Sequence, residues 1–172
     1  MTNYSDQGRA LGVVCLSLLA VVAGVVPAAA DWSLNEGRAN LGSYVDGTVE
    51  SGNVTLSMHC RQQNAHMGTQ INLVRLPMPQ AAKVSDAETT FTLVFELGGG
   101  VTYKLPVKSH YVDFEDTWVG ANHFDMSQFD ALGGSKQIIV LRADGSEAKR
   151  FSSGGTRKLE QAMRKRCFPN IR

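Results

Sequence analysis

Between residues 31 and 172 the chain repeatedly alternates apolar and polar positions, the mark of strands with one buried face. Thr89–Leu97 is the clearest case, with Phe91, Leu93, Phe95 and Leu97 on one face and Thr90, Thr92 and Glu96 on the other. Gly98-Gly99-Gly100 turns it back into Val101–Val107, where Val101, Tyr103, Leu105 and Val107 align, so the two runs read as a hairpin. Pro106 cannot donate to a ladder, so the second strand is expected to end there or to lie at an edge. The same period places Val54, Leu56, Met58 and Cys60 on one face of residues 54–60, and Ile71 and Leu73 on one face of residues 70–76.

Further strands are expected from Trp32 and Leu34 onward, over Tyr111–Val119, over Lys136–Arg142 and, after the tight turn at Asp144-Gly145, over Glu147–Ser152. Gly42, Asp46-Gly47 and Ser51-Gly52 read as turns. The polar run Arg61–Gly68 reads as a turn as well.

Two segments switch to helical spacing. Asp125–Leu132 carries Met126, Phe129 and Leu132 three apart, with Asp125 as cap and Gln128 at the capping-box position. Gly133-Gly134 ends it. In Thr156–Cys167, Leu159, Ala162, Met163 and Cys167 form one apolar stripe. About eight strands, a short helix and a C-terminal helix argue a mainly β domain, an antiparallel sandwich or a barrel-like fold. Residues 31–172 suffice for one such domain, with no internal repeat or linker.

The first 30 residues follow a different rule. Leu11–Val26 is an unbroken run of apolar and small residues, preceded by Arg9 and followed by Pro27-Ala28-Ala29-Ala30. A charged start, an apolar centre and an A-x-A exit specify a secretory leader, with cleavage expected between Ala30 and Asp31. Two other readings compete: an uncleaved anchor over Leu11–Ala30, against which the Ala- and Gly-rich composition argues, and lipidation at Cys15, against which Val14 and the position inside the apolar run argue. The expected address is periplasmic or secreted, with no stable membrane anchor after cleavage.

Cleavage removes Cys15 and leaves Cys60 and Cys167. An even count in an oxidising compartment suggests a bridge, and each cysteine lies on the inward face of its element. The bridge closes a loop of roughly 100 residues, worth about 4–5 kcal/mol in the chain-entropy model. No C-x-x-C spacing favours redox chemistry; an intermolecular bridge is the remaining alternative.

The order of these features resembles a family of small periplasmic proteins: Trp32 after the cleavage site, the strand Leu56, Met58 and Cys60, then Trp118, a helix with Met126 and Leu132, the strand Ile138–Arg142, Phe151 leading into a Gly-rich turn, and a helix from Leu159 to Cys167. The chain is similar in this to the TagO/VasI-like proteins associated with type VI secretion and, more loosely, to the invasion-associated locus B proteins. The resemblance spans most of residues 31–167. It implies an envelope or secreted binding protein without known catalytic residues.

Charge changes the picture little. Seventeen Lys and Arg against sixteen Asp and Glu give a net charge of +1. Removing residues 1–30 takes one of each sign, so no global field draws the protein to nucleic acid or anionic lipid. The local exception is Arg157, Lys158, Arg164, Lys165, Arg166 and Arg172, a basic cluster suited to an acidic partner and equally suited to a solvated helix face. His59, His66, His110 and His123 are the metal-ligating candidates, but no zinc spacing joins them, so no metal or cofactor is expected. Asp113, Glu115, Asp116, Asp125 and Asp130 are candidate acids for a hydrolase or a calcium site; in alternation with Val112 and Phe114, Asp113 and Glu115 read as a solvated strand face. No G-x-S-x-G elbow accompanies Ser135 or Ser153, and no Lys-Ser/Thr pair follows Gly98-Gly99-Gly100.

The expected function is a non-catalytic envelope binding protein whose partner is another envelope or secreted protein. One alternative is an inhibitor of a lysozyme or protease using Gly42-Ser43-Tyr44 or Ser51-Gly52 as an inserting loop. Another is a hydrolase using the carboxylates of residues 113–130.

Overall fold

The computed structural model describes residues 31–39, 42–62 and 68–169. The expected leader over residues 1–30 lies outside them, as do the metal-ligating candidate His66 and Arg172 of the basic cluster. Nine strands run β1 (Ser33–Ala39), β2 (Gly42–Ser51), β3 (Val54–Arg61), β4 (Thr69–Val74), β5 (Glu88–Gly98), β6 (Val101–Val112), β7 (Thr117–Asn122), β8 (Gln137–Leu141) and β9 (Glu147–Ser152). Helix α1 is Met126–Gly134 and α2 is Thr156–Arg166. All strands join one antiparallel sheet in the order β1-β2-β3-β4-β7-β6-β5-β8-β9. Of the two expected architectures, the barrel-like one forms.

The sheet curls because its apolar residues share one face. Val45, Val49, Leu56, Met58, Ile71, Leu73, Phe91, Leu93, Phe95, Trp118, Val140 and Phe151 are all buried in one core. Wrapping such a face on itself removes it from water, and the right-handed twist of strands supplies the curvature. The curl brings the two ends of the sheet together: the Trp32 N–H donates to the Gly154 carbonyl at 2.7 Å and its indole Nε1 to the Ser152 carbonyl at 3.0 Å. Trp118 packs in the centre, edge-on to Phe91 at 5.3 Å and tilted against Tyr111 at 5.1 Å.

The helices close one side of the core. Asp125 caps α1 by accepting from the Ser127 and Gln128 N–H groups, while Gln128 accepts from the Asp125 N–H, which is the expected capping box. Helix α2 buries Leu159, Ala162 and Met163, the expected stripe. Phe129 of α1 meets Phe168, just beyond α2, at 5.4 Å. Cys60 and Cys167 are disulfide-bonded across 107 residues, with Cα atoms 6.1 Å apart and both residues buried. The bridge ties the end of β3 to the end of α2.

The structure corrects two expectations and decides between the alternatives of a third. Asp46-Gly47 is no turn; β2 runs straight through it, and is the ninth strand. A Cβ on Gly47 would lie 2.5 Å from Leu159 Cδ1, so this glycine admits α2 rather than bending the chain. Pro106 does not end its strand: β6 continues to Val112. Its pairing with β7 covers only Ser109–Val112, so one side of β6 is unpaired at the proline and no ladder donor is missed. Finally, Tyr111–Val119 is not one strand. Asp113–Glu115 form a 3-10 turn between β6 and β7, and Asp116 follows in the left-handed region at φ 46°. Asp113 and Glu115 are therefore turn residues, not a strand face.

Candidate binding groove on the outer sheet face

Alternation that buries one face leaves the other polar. On β3 the outer residues include His59 and Arg61, and on β6 they include Lys108 and His110, each pair separated by two positions. The strand order places β4 and β7 between them, so the sheet brings together side chains that are far apart in sequence. Registers run Asp46 opposite His59, His59 opposite Gln70 and Gln70 opposite Ala121. One row along, Val119 lies opposite His110 and His110 opposite Glu88.

These residues line a groove of about 470 Å³, with His59 and Arg61 on one wall, Lys108 and His110 on the other, and Gln70, Val119 and Ala121 between. Three strand spacings separate the walls, about 14 Å between strand axes. A second depression of about 430 Å³ adjoins it over β2–β4, sharing His59, Arg61 and Gln70 and adding Asp46, Thr48, Ser57 and Asn72. Both volumes fall in the range of small-ligand sites. Cys60 also lines the first groove, so the disulfide anchors this end of β3 beneath it.

One wall is held by a side-chain chain. Arg61 Nε donates to His59 Nε2 at 3.1 Å. Guanidinium nitrogens only donate, so Nε2 is the acceptor in this contact and Nδ1 carries the hydrogen. His59 Nδ1 then donates to Asp46 Oδ1. On the other wall Lys108 Nζ pairs with Glu88 Oε2 at 2.8 Å; both side chains are well exposed, so this pair restrains little.

The other candidates are dispersed. His123 is exposed in the connection after β7, and among the described residues no three potential ligands converge on a metal position. Asp125 is spent as the α1 cap, with the Ser127 hydroxyl foremost in holding its carboxyl below the usual range. Asp130 binds Arg164 at 2.8 Å. Asp116 accepts from Lys83 at 2.6 Å and from the Tyr111 hydroxyl at 3.0 Å; the lysine contact is the main reason its carboxyl is held low. Ser135 and Thr156 are buried neighbours whose hydroxyls bond backbone carbonyls, at Leu132 and Ser153.

Within the basic cluster, Arg164 is committed to Asp130 and Glu160 and lies over the Phe129 ring, and Arg166 bonds Glu36 at 3.0 Å. Arg157, Lys158 and Lys165 remain exposed on α2. Gly42-Ser43-Tyr44 belongs to β2 and pairs with β1, with Ser43 buried, so it forms no projecting loop. Ser51-Gly52 is the tight β2–β3 turn, with Gly52 at φ 62°.

The groove escaped sequence reading because its walls come from residues 59–61 and 108–110 and its floor from 70 and 119–121. The available signal was two short same-face patterns, His59-x-Arg61 and Lys108-x-His110, in strands otherwise patterned for a core. No family model matches the chain, and no curated protein or solved structure matches it.

Proposed function

We propose that the chain is an exported, non-catalytic binding protein of the bacterial cell envelope that engages its partner through the outer face of β3, β4, β7 and β6. The observation that carries this reading is the groove: a polar depression with Arg61 and Lys108 in its walls, whose described lining comes from strands apart from Gly68. Two further features support it. The Cys60–Cys167 disulfide suits an oxidising compartment, and residues 1–30 have the pattern of a secretory leader. Among the described residues no helix is long and apolar enough to cross a membrane.

The test is capture from envelope extract by immobilised, oxidised protein, with each retained protein identified by mass spectrometry. Gln70→Trp fills the groove from an exposed position and should leave the fold intact. A partner held by the wild type at micromolar protein and lost with Gln70→Trp supports the reading. Retention of nothing, or of the same proteins by both, counts against it.

A further inference from the structure

Arginine side chains on sheet surfaces are ordinarily free to move, at a cost in rotamer entropy when they are fixed. Arg61 is fixed. Its Nε is held by His59, and His59 is held in one tautomer by Asp46, both from adjoining positions on β2 and β3. Among the described residues, only Nε of this guanidinium is used in a hydrogen bond. The terminal edge, with both Nη groups, has no partner there. That edge is the fork that matches the two oxygens of a carboxylate, phosphate or sulfate.

We propose that the groove is a receptor for an oxyanion group, bound by the terminal edge of Arg61, with Asp46 and His59 acting as positioning residues that hold the guanidinium ready. This rests on the reading of the groove as the binding surface and names the chemistry it takes. Lys108 on the opposite wall, exposed and only loosely paired with Glu88, can swing its ammonium into the same depression, and Val119 and Ala121 offer small apolar floor for the body of the ligand. The arrangement separates roles. Arg61 supplies directional hydrogen bonds, Lys108 supplies charge without fixed geometry, and the Asp46–His59 pair lowers the entropy lost on binding. Helix α2 is the rival anion site, because Arg157, Lys158 and Lys165 are exposed there, but neither described depression includes any of them.

Two simple probes distinguish the possible sources. Sulfate stands for a tetrahedral phosphate-like group and acetate for a planar carboxylate. Each is titrated across the millimolar range at constant ionic strength into oxidised, isotopically labelled protein, and backbone and arginine Nε–H resonances are followed by NMR. Saturable shifts are expected at Arg61, His59 and Lys108, with the stronger probe identifying the oxyanion type. Arg61→Lys should weaken binding about tenfold, since a point charge replaces a two-bond fork. Arg61→Gln should abolish the saturable shifts while the spectrum stays dispersed. Asp46→Asn should weaken binding several-fold and broaden or lose the Arg61 Nε–H resonance, which a purely structural residue would not do. Lys165→Gln should change nothing. The proposal is overturned if neither probe shifts a well-dispersed wild-type spectrum, if the shifts survive Arg61→Gln, or if they map to α2. Partner capture that depends on Gln70 but not on Arg61 would leave the docking reading standing and remove this one.

Discussion

Gly47→Ala is the smallest change that tests how the terminal helix is seated. The added methyl would lie 2.5 Å and 2.6 Å from the two terminal carbons of Leu159. Carbon atoms pack best at about 3.5–4.0 Å, so the contact must open by about 1 Å. Leu159 is 1% exposed, hence enclosed on its other sides, and the far end of α2 is tied to β3 by the disulfide. Helix α2 therefore cannot simply retreat, and the cost should fall in the overpacking range of about 1–3 kcal/mol. In the opposite direction, alanine has better strand entropy than glycine by about 0.5–1 kcal/mol. Overpacking exceeds this, so the net change is destabilising. The assay is urea denaturation of oxidised protein, run as a double-mutant cycle with Leu159→Ala. Leu159→Ala alone should cost about 2–5 kcal/mol through the cavity it leaves. In that background the new methyl enters empty space, so Gly47→Ala should become neutral or stabilising. Additive effects, or a Gly47→Ala variant as stable as wild type, would refute the seating of Leu159 on Gly47.

Gly68→Ala should destabilise by more than about 1 kcal/mol in urea denaturation, because φ is +81° and the new Cβ would lie 2.3 Å from the Asn122 carbonyl oxygen, a backbone atom that cannot swing aside. The Tyr111 phenol is pushed above its ordinary 10.0, chiefly by burial and then by the Asp116 carboxylate. Its contribution to stability is therefore complete below pH 10 and is lost as pH rises through its folded value. Phenolate absorbance should show one late-titrating tyrosine that moves only part of the way back in Asp116→Asn. Asp125 is held low by the Ser127 hydroxyl and the Gln128 and Ser127 N–H groups, so it stabilises above its unfolded value and loses that effect as pH falls through its folded value. Asp125→Ala should lower stability at neutral pH more than in acid, whereas Asp125→Asn should keep the cap and flatten the acid dependence, both read from denaturation midpoints.

Local rules made much of the fold legible. Residues 54–60 and 89–97 show a two-residue period because a single buried face dictates them, and both become strands at nearly those bounds. The capping box at Asp125 and Gln128 and the stripe Leu159, Ala162, Met163 and Cys167 are equally local. What was lost depended on distant partners. Asp46-Gly47 has turn chemistry, and only Leu159, over a hundred residues later, explains a glycine in mid-strand. Pro106 reads as either a strand end or an edge position, and only the pairing of β6 with β7 decides between them, by leaving one side open at the proline. The groove was hidden for the same reason. His59 and Arg61 meet Lys108 and His110 across β4 and β7 because the strand order departs from sequence order at β4, a choice made by global core packing. The basic helix illustrates the converse: its charge run was obvious, yet Arg164 and Arg166 are occupied by Asp130, Glu160 and Glu36.

Export, and the oxidative lock between the sheet and the last helix, together underlie the proposed function. Non-reducing peptide mass spectrometry of protein recovered from outside the cytoplasm tests this directly. It should find an N-terminus at Asp31 and a single linked peptide pair joining Cys60 to Cys167, and reduction should lower stability by about 4–5 kcal/mol for a loop of this length. Two free thiols on the recovered protein, or a chain found only in the cytosol, would contradict it.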